Sequence, residues 1–159
     1  MTFQTVTIIA RQGVVDTSEI VVLAPPGAIA LVAVNVQGTA GLFNRHLLVR
    51  VRHVKSLERV ATFLTNGAPK TSSGCYPVVE NDGFNLAVNV STADAALAYD
   101  ASLNFLVWVG PGQAPVLAKV PFQAQGGDAA VIVVSATSAA NTAQTLAIAP
   151  LAGGWEHIQ

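Results

Sequence analysis

The chain has 159 residues, of which 52% are hydrophobic and only 11% are charged, and its formal net charge is −1. Soluble domains average about 25% charged residues, so this composition indicates either a membrane protein or a subunit whose surface neighbours largely cover. The longest apolar stretch, residues 28–34, is far shorter than the roughly 20 residues of a spanning helix. We therefore expect no membrane span.

A length of 159 residues, without a linker or charge block that divides the chain, predicts one domain. Residues 1–13 lack a basic start and a small-residue cleavage pattern, so they predict a first strand and not a signal peptide. The single cysteine, Cys75, excludes an internal disulfide and fits a reducing compartment. We predict a β-sandwich domain over residues 1–150 and a C-terminal arm over residues 151–159.

Short apolar, β-branched runs separated by glycine and proline predict about ten strands. They are expected at residues 3–10, 20–24, 29–36, 47–54, 76–80, 84–90, 104–109, 116–122, 131–137 and 145–148. Between the fifth and sixth of these, Asn81-Asp82-Gly83 indicates a β-hairpin.

Two segments break the β pattern. Residues 56–65 place Leu57, Val60, Ala61 and Leu64 on one helical face, and Ser56 suits an N-cap. A short helix is predicted there, and residues 92–98 have the composition of one more helical turn.

Together these elements predict an all-β fold, an antiparallel β-sandwich with one or two short helices. The jelly roll is one strand arrangement that the sequence allows. Residues 29–36 and 105–109 are apolar on both strand faces. The outer face of a lone antiparallel sandwich is normally polar, and an exposed apolar patch on a near-neutral protein favours association. These strands are therefore expected to be covered by another subunit.

No catalytic or cofactor motif is present in the sequence. Cys75 has His46 or His53 as a conceivable base, but a lone cysteine is usually a small packed hydrophobic residue. The histidines, including His157, have no cysteine or carboxylate at metal-ligand spacing. We predict no catalytic residue, no metal site and no cofactor, and hence no enzyme.

Basic residues concentrate in one band, residues 42–59. It holds five of the eight basic side chains, namely Arg45, Arg50, Arg52, Lys55 and Arg59. On a strand with Leu47, Val49 and Val51 inward, Arg50 and Arg52 project from the other face.

This band has two interpretations. It is either a contact for a partner or a solvated face or edge strand whose charges prevent wrong pairing. As a contact it favours protein carboxylates over nucleic acid, because the net charge is negative and no aromatic residue interleaves the arginines. Trp155, after Gly153-Gly154, is a second candidate contact, as the anchor of the arm.

The low charge, the strands rich in Ala, Val, Thr and Asn, and the Gly/Pro turns make the chain similar to virion proteins. It resembles the jelly-roll coat subunits of small icosahedral viruses and the β-sandwich decoration proteins of phage heads. The likeness lies in composition and strand rhythm, and no motif residue carries it. Many coat proteins that package RNA have a basic arm, whereas Arg11 is the only basic residue here before Arg45.

The resemblance implies a non-enzymatic structural subunit of a virion, made in the host cytoplasm, that assembles with copies of itself and neighbouring shell proteins. Nucleic acid is possible as a partner but not favoured, and no membrane contact is expected. Two alternatives stay open: a carbohydrate- or receptor-binding β-sandwich module, and a cupin-like enzyme.

Overall fold

The structure is a computed structural model that describes residues 3–14, 18–38, 47–90, 98–126, 132–137, 143–149 and 156–158. In these residues the fold is all-β, as predicted. The strands are β1 (Phe3–Val14), β2 (Ile20–Leu23), β3 (Ala28–Gly38), β4 (Leu47–His53), β5 (Arg59–Thr65), β6 (Lys70–Pro77), β7 (Gly83–Val90), β8 (Tyr99–Trp108), β9 (Val116–Leu117), β10 (Val120–Gly126), β11 (Ile132–Thr137), β12 (Ala143–Ala149) and β13 (Glu156–Ile158).

The first eight strands form two antiparallel sheets that face each other. One has the order β1-β8-β3-β6 and is extended by β10, and the other has the order β2-β7-β4-β5. We call them the five-stranded and the arginine-bearing sheet. The pairs β1·β8, β2·β7, β3·β6 and β4·β5 are nested one inside the next. This nesting is the connectivity of a jelly roll, the arrangement left open by the sequence.

A third sheet has the order β13-β12-β11-β9. Part of the predicted C-terminal arm belongs to it, since Glu156–Ile158 forms β13 and pairs with β12. No helix in the described part of the chain is long and apolar enough to cross a membrane.

The main core fills the space between the two large sheets, and the period-two alternation of the strands produces it. On the arginine-bearing sheet, Leu47, Val49 and Val51 point inward and are fully buried, as predicted. They meet Leu103 and Phe105 of β8 from the opposite sheet, in the same cluster. These strands contribute apolar side chains at every second position, so each sheet closes one side of the core.

The outer face of the five-stranded sheet carries a second apolar cluster. Its buried members are Ala30, Val32, Cys75, Leu106 and Leu117. Leu117 lies on β9, so this part of the chain itself covers the second face of β3 and β8. The expectation that residues 29–36 and 105–109 need another subunit to cover them is therefore wrong for most of these positions. Among the apolar residues of these ranges, Ile29 and Trp108 are half-buried and Val109 is exposed.

The predicted hairpin at Asn81-Asp82-Gly83 is also wrong, although the turn itself forms. Asn81 has a φ of 67° and the Asp82 N–H donates to the Val79 carbonyl at 3.1 Å. However, β6 pairs with β3 and β10, whereas β7 pairs with β2 and β4. Backbone bonds join the turn to Ala24, at the end of β2. The turn therefore carries the chain from one sheet to the other.

The predicted helix over residues 56–65 is a turn followed by β5. Leu57 has a φ of 60°, which no right-handed helix contains. Beyond it, Ala61, Phe63 and Thr65 are buried while Thr62 and Leu64 are exposed, a period of two. Pairing with β4 and burial of Phe63 prevailed over the helical spacing of the apolar residues. The second predicted helical turn, residues 92–98, lies almost wholly outside the described residues.

Candidate functional site

The outer surface of the arginine-bearing sheet brings three of the predicted contact residues together. Arg50 and Arg52 are exposed on β4, between buried residues that face the core. Arg59 begins β5 and is the register partner of Arg52, so these two basic residues lie opposite each other. We call this surface, with Arg50, Arg52 and Arg59, the arginine face.

The arginine face is not neutralised by the part of the chain that the structure describes. Arg50 donates to Asn89 Oδ1 at 2.7 Å, a neutral acceptor. Among the described residues Lys119 forms an ion pair with Glu58, and His53 lies within ion-pair distance of Asp82; neither contact includes an arginine of this face. Like charges directly opposite each other destabilise a sheet. The face is therefore a positive surface maintained at some cost to folding.

Exposed apolar side chains surround these charges on two sides. Val21 and Leu23 project from β2, Val54 follows β4, and Leu64 projects from β5. A methyl group placed on Gly83 would lie 3.3 Å from Val21 and 3.2 Å from Val54, so both valines lie close to this glycine. The result is a sheet surface with arginines beside apolar positions.

The remaining predicted contact residues are less well placed. Lys55 is exposed in the turn between β4 and β5. Arg45 and Trp155 lie outside the described residues. β4 is flanked by β7 and β5, so the alternative in which these arginines protect an edge strand does not apply to Arg50 and Arg52.

Glu58, the only acidic residue of the basic band, is engaged elsewhere. Its carboxylate pairs with Lys119 and accepts a hydrogen bond from the Tyr76 hydroxyl at 3.0 Å. The hydrogen bonds from Lys119 and Tyr76 hold the pKa of Glu58 below its usual value. Lys119 also lies 4.9 Å from the centre of the Tyr76 ring. Glu58 therefore fastens the turn after β4 to the opposite sheet and leaves the arginines without a carboxylate.

His53, the last residue of β4, begins this turn and is largely buried against the rings of Tyr76 and Phe84. Its Nδ1 receives the Ser56 backbone N–H at 3.2 Å and lies 2.8 Å from the Ser56 hydroxyl. Nδ1 is therefore an acceptor, which places a proton on Nε2. That nitrogen is 3.4 Å from Asp82 Oδ1, within ion-pair distance but without hydrogen-bond geometry.

Serine, histidine and aspartate in contact also form the triad of many hydrolases, where the serine hydroxyl is presented to a substrate. In this chain the Ser56 hydroxyl is shared by three protein groups: the His53 ring, the Tyr76 hydroxyl at 3.2 Å and the Glu58 N–H at 3.3 Å. The contacts hold the β4–β5 turn in place and support a structural role.

The Cys75–His53 pair considered from the sequence is not brought together. Cys75 belongs to the outer apolar cluster, whereas His53 packs on Tyr76, which belongs to the core between the sheets. Cys75 is a free, buried thiol, and burial raises its pKa to about 12. His46, the other candidate base, lies outside the described residues.

A second surface was missed by sequence reasoning. On the outer face of the five-stranded sheet, beyond the apolar cluster, polar side chains line an open groove of about 450 Å³. Among them are Thr7, Asn35, Thr71, Ser102 and Asn104. Asn35 and Asn104 each interrupt an apolar central strand, and this interruption was the available signal for the groove.

No group of three or more His, Cys, Asp or Glu side chains in the described ranges is arranged to hold a metal ion. No protein-family model matches the chain, and no similar curated protein or solved structure was found.

Proposed function

We propose that the chain is a non-enzymatic structural subunit of a virion or similar protein shell, and that its arginine face binds an acidic surface on a neighbouring subunit. The observation that carries this proposal is the set of three exposed arginines without a carboxylate partner in the described residues, beside exposed apolar side chains. The neighbour is a second copy of the chain or another shell protein.

The chemistry of the face suits protein association. An arginine forms two parallel hydrogen bonds with a carboxylate, which gives direction as well as attraction. Arginine is enriched in interfaces and among the residues that dominate binding energy, usually with apolar contacts that exclude water around it. Val21, Leu23, Val54 and Leu64 supply such contacts beside the charges.

The fold and composition support the shell role without deciding it. Jelly rolls occur in viral coat proteins, in lectins and in cupins, and a fold does not by itself imply a function. The low charge content adds weight to a covered surface. Because the central strands are covered within the chain, the proposed interface is the arginine face and not those strands.

Light scattering on a size-exclusion column, with negative-stain imaging of the eluted species, tests the proposal. We expect a defined multimer or shells for the unaltered chain. Arg52→Gln should raise the protein concentration needed for assembly by tenfold or more. Gln4→Glu, an exposed position on β1, changes the net charge by the same amount and should leave assembly unchanged.

Three results would overturn the proposal or a part of it. A stable monomer at high concentration, alone and with candidate shell partners, removes the assembly role. An equal effect of Arg52→Gln and Gln4→Glu removes the specific part played by the arginine face. Nuclease-sensitive assemblies that contain nucleic acid would instead assign the face to phosphates.

A further inference from the structure

We infer that the groove on the outer face of the five-stranded sheet is a binding site for a neutral, hydroxyl-rich ligand, of the size of a monosaccharide or disaccharide. The groove is on the opposite side of the sandwich from the arginine face, so this inference does not depend on the assembly role. Its volume of about 450 Å³ lies within the roughly 300–1,000 Å³ of small-molecule sites.

The floor of the groove is a row of hydrogen-bonding side chains across three strands. The Thr71 hydroxyl donates to Asn35 Oδ1 at 2.7 Å, and Asn35 Nδ2 donates to the Ser102 hydroxyl at 3.5 Å. Both hydrogen bonds run in the same direction, from Thr71 through Asn35 to Ser102. Ser102 ends the row as an acceptor, so its own proton is available to a ligand oxygen.

Asn104 provides the observation that points to a ligand. Its side chain lines the groove and is only 6% exposed, yet its Oδ1 accepts no hydrogen bond from the described protein groups. An unpaired buried acceptor is costly. Rotation of the amide can present either its oxygen or its nitrogen to the groove, and the two ends are nearly equal in shape. A ligand hydroxyl both donates and accepts, so it suits either orientation.

The charged groups at the rim are already engaged, which favours a neutral ligand over an ion. Lys70 Nζ donates to the Leu64 carbonyl at 2.8 Å, and Arg11 donates to the Ser18 carbonyl at 3.0 Å. Asp100 Oδ1 accepts the Gly13 N–H at 2.7 Å. Ile9, 63% exposed, adds an apolar flank opposite Ser102. Amides and hydroxyls beside one apolar side chain match the alternating polar and C–H surfaces of a sugar ring.

Saturation-transfer difference NMR with the full chain tests this inference, because it observes the ligand and works for a monomer or a shell. The probes are the methyl glycosides of glucose, galactose and mannose, N-acetylglucosamine, and inorganic phosphate read by phosphorus NMR. We expect at least one neutral sugar to bind, with a dissociation constant on the order of 1–10 mM. The affinity is weak because a small ligand makes few contacts to offset the freedom that it loses on binding.

Two matched variants locate the site. Asn104→Leu replaces a buried, unpaired polar group by an apolar one of similar size, and Thr5→Val does the same at a buried hydroxyl of β1 that is not among the groove's lining residues. Neither is expected to lower the melting temperature. Asn104→Leu and Ser102→Ala should weaken sugar binding at least tenfold, whereas Thr5→Val should not change it.

Three results would overturn the inference: no neutral sugar binds, phosphate alone binds, or Thr5→Val weakens binding as much as Asn104→Leu. Loss of assembly with sugar binding intact, or the reverse, separates the failure of this inference from that of the shell role.

Discussion

The Cys75 thiol shows how burial alone sets the chemistry of a residue. It has no exposed surface, and removal from water disfavours the thiolate, which raises its pKa from 9.0 to about 12. Because the thiolate is the reactive form, this side chain is inert in the folded protein near neutral pH.

We predict that a chromogenic disulfide reagent at pH 8 leaves Cys75 unmodified in the native chain and reacts with it fully in urea. The same shift gives a pH dependence. The unfolded chain loses the thiol proton near pH 9 and the folded chain only near 12, so the free energy of unfolding falls as the pH rises between these values. Rapid stoichiometric labelling of the folded chain would contradict this prediction.

Leu57 is a residue whose backbone conformation opposes its side chain. Its φ of 60° is left-handed, which costs a residue with a Cβ roughly 1–2 kcal/mol. Its side chain is 66% exposed and contributes little packing.

We therefore predict that Leu57→Asn raises the free energy of unfolding by about 1 kcal/mol, because asparagine tolerates this conformation. Urea denaturation measures the change. Leu64→Asn is the matched control, since Leu64 is also exposed but lies within β5, where asparagine is disfavoured. A loss of stability in both variants would contradict the prediction.

At the scale of elements, the close approach of β10 to β6 depends on Gly74. A methyl group there would lie 2.6 Å from Phe122 Cδ2 and 2.7 Å from the Val120 carbonyl oxygen. The ladder between the two strands shifts register between Val120 and Gln123, at this position. The absence of a side chain lets β10 extend the five-stranded sheet here.

We predict that Gly74→Ala lowers the free energy of unfolding by about 1–3 kcal/mol, the usual cost of overpacking. Hydrogen exchange should increase first in β10, because this strand must move away from the added methyl group. Gly83→Ala is the control: its nearest neighbours are side-chain atoms at 3.2 Å and beyond, which can adjust. An equal cost at both glycines would argue against a specific role for Gly74.

At the scale of the whole molecule, the arginine face has opposite effects on the stability of the free chain and on the proposed assembly. Arg52 and Arg59 repel each other across β4 and β5 in the free chain. A partner surface with carboxylates would convert this repulsion into attraction.

We predict that Arg59→Thr slightly stabilises the isolated chain, by about 0.5 kcal/mol at low salt, and weakens assembly. The gain in stability should shrink at high salt, where exposed charges are screened. Urea denaturation at the two salt concentrations and light scattering measure the two effects. Arg59→Thr that destabilises the chain while leaving assembly intact would contradict both parts.

The sequence alone determined most of the strands and the direction of their side chains, although it placed at residues 76–80 a strand that spans Lys70–Pro77. Alternation placed Val49 and Val51 in the core and Arg50 and Arg52 outside, because a strand turns successive side chains to opposite faces. The same local pattern gave the all-β class and the sandwich. Where a helical and a β period competed, in residues 56–65, local spacing was insufficient, because pairing with β4 decides the outcome.

Only the tertiary structure decided what each surface faces. Apolar residues on both sides of β3 indicate that both sides are covered, but not that β9 of the same chain covers one of them. Likewise, Asn35, Ser102 and Thr71 are far apart in the sequence and form one groove because β3 pairs with both β8 and β6. Periodicity is a property of neighbouring residues, whereas partners across sheets and strands are chosen by packing between distant segments.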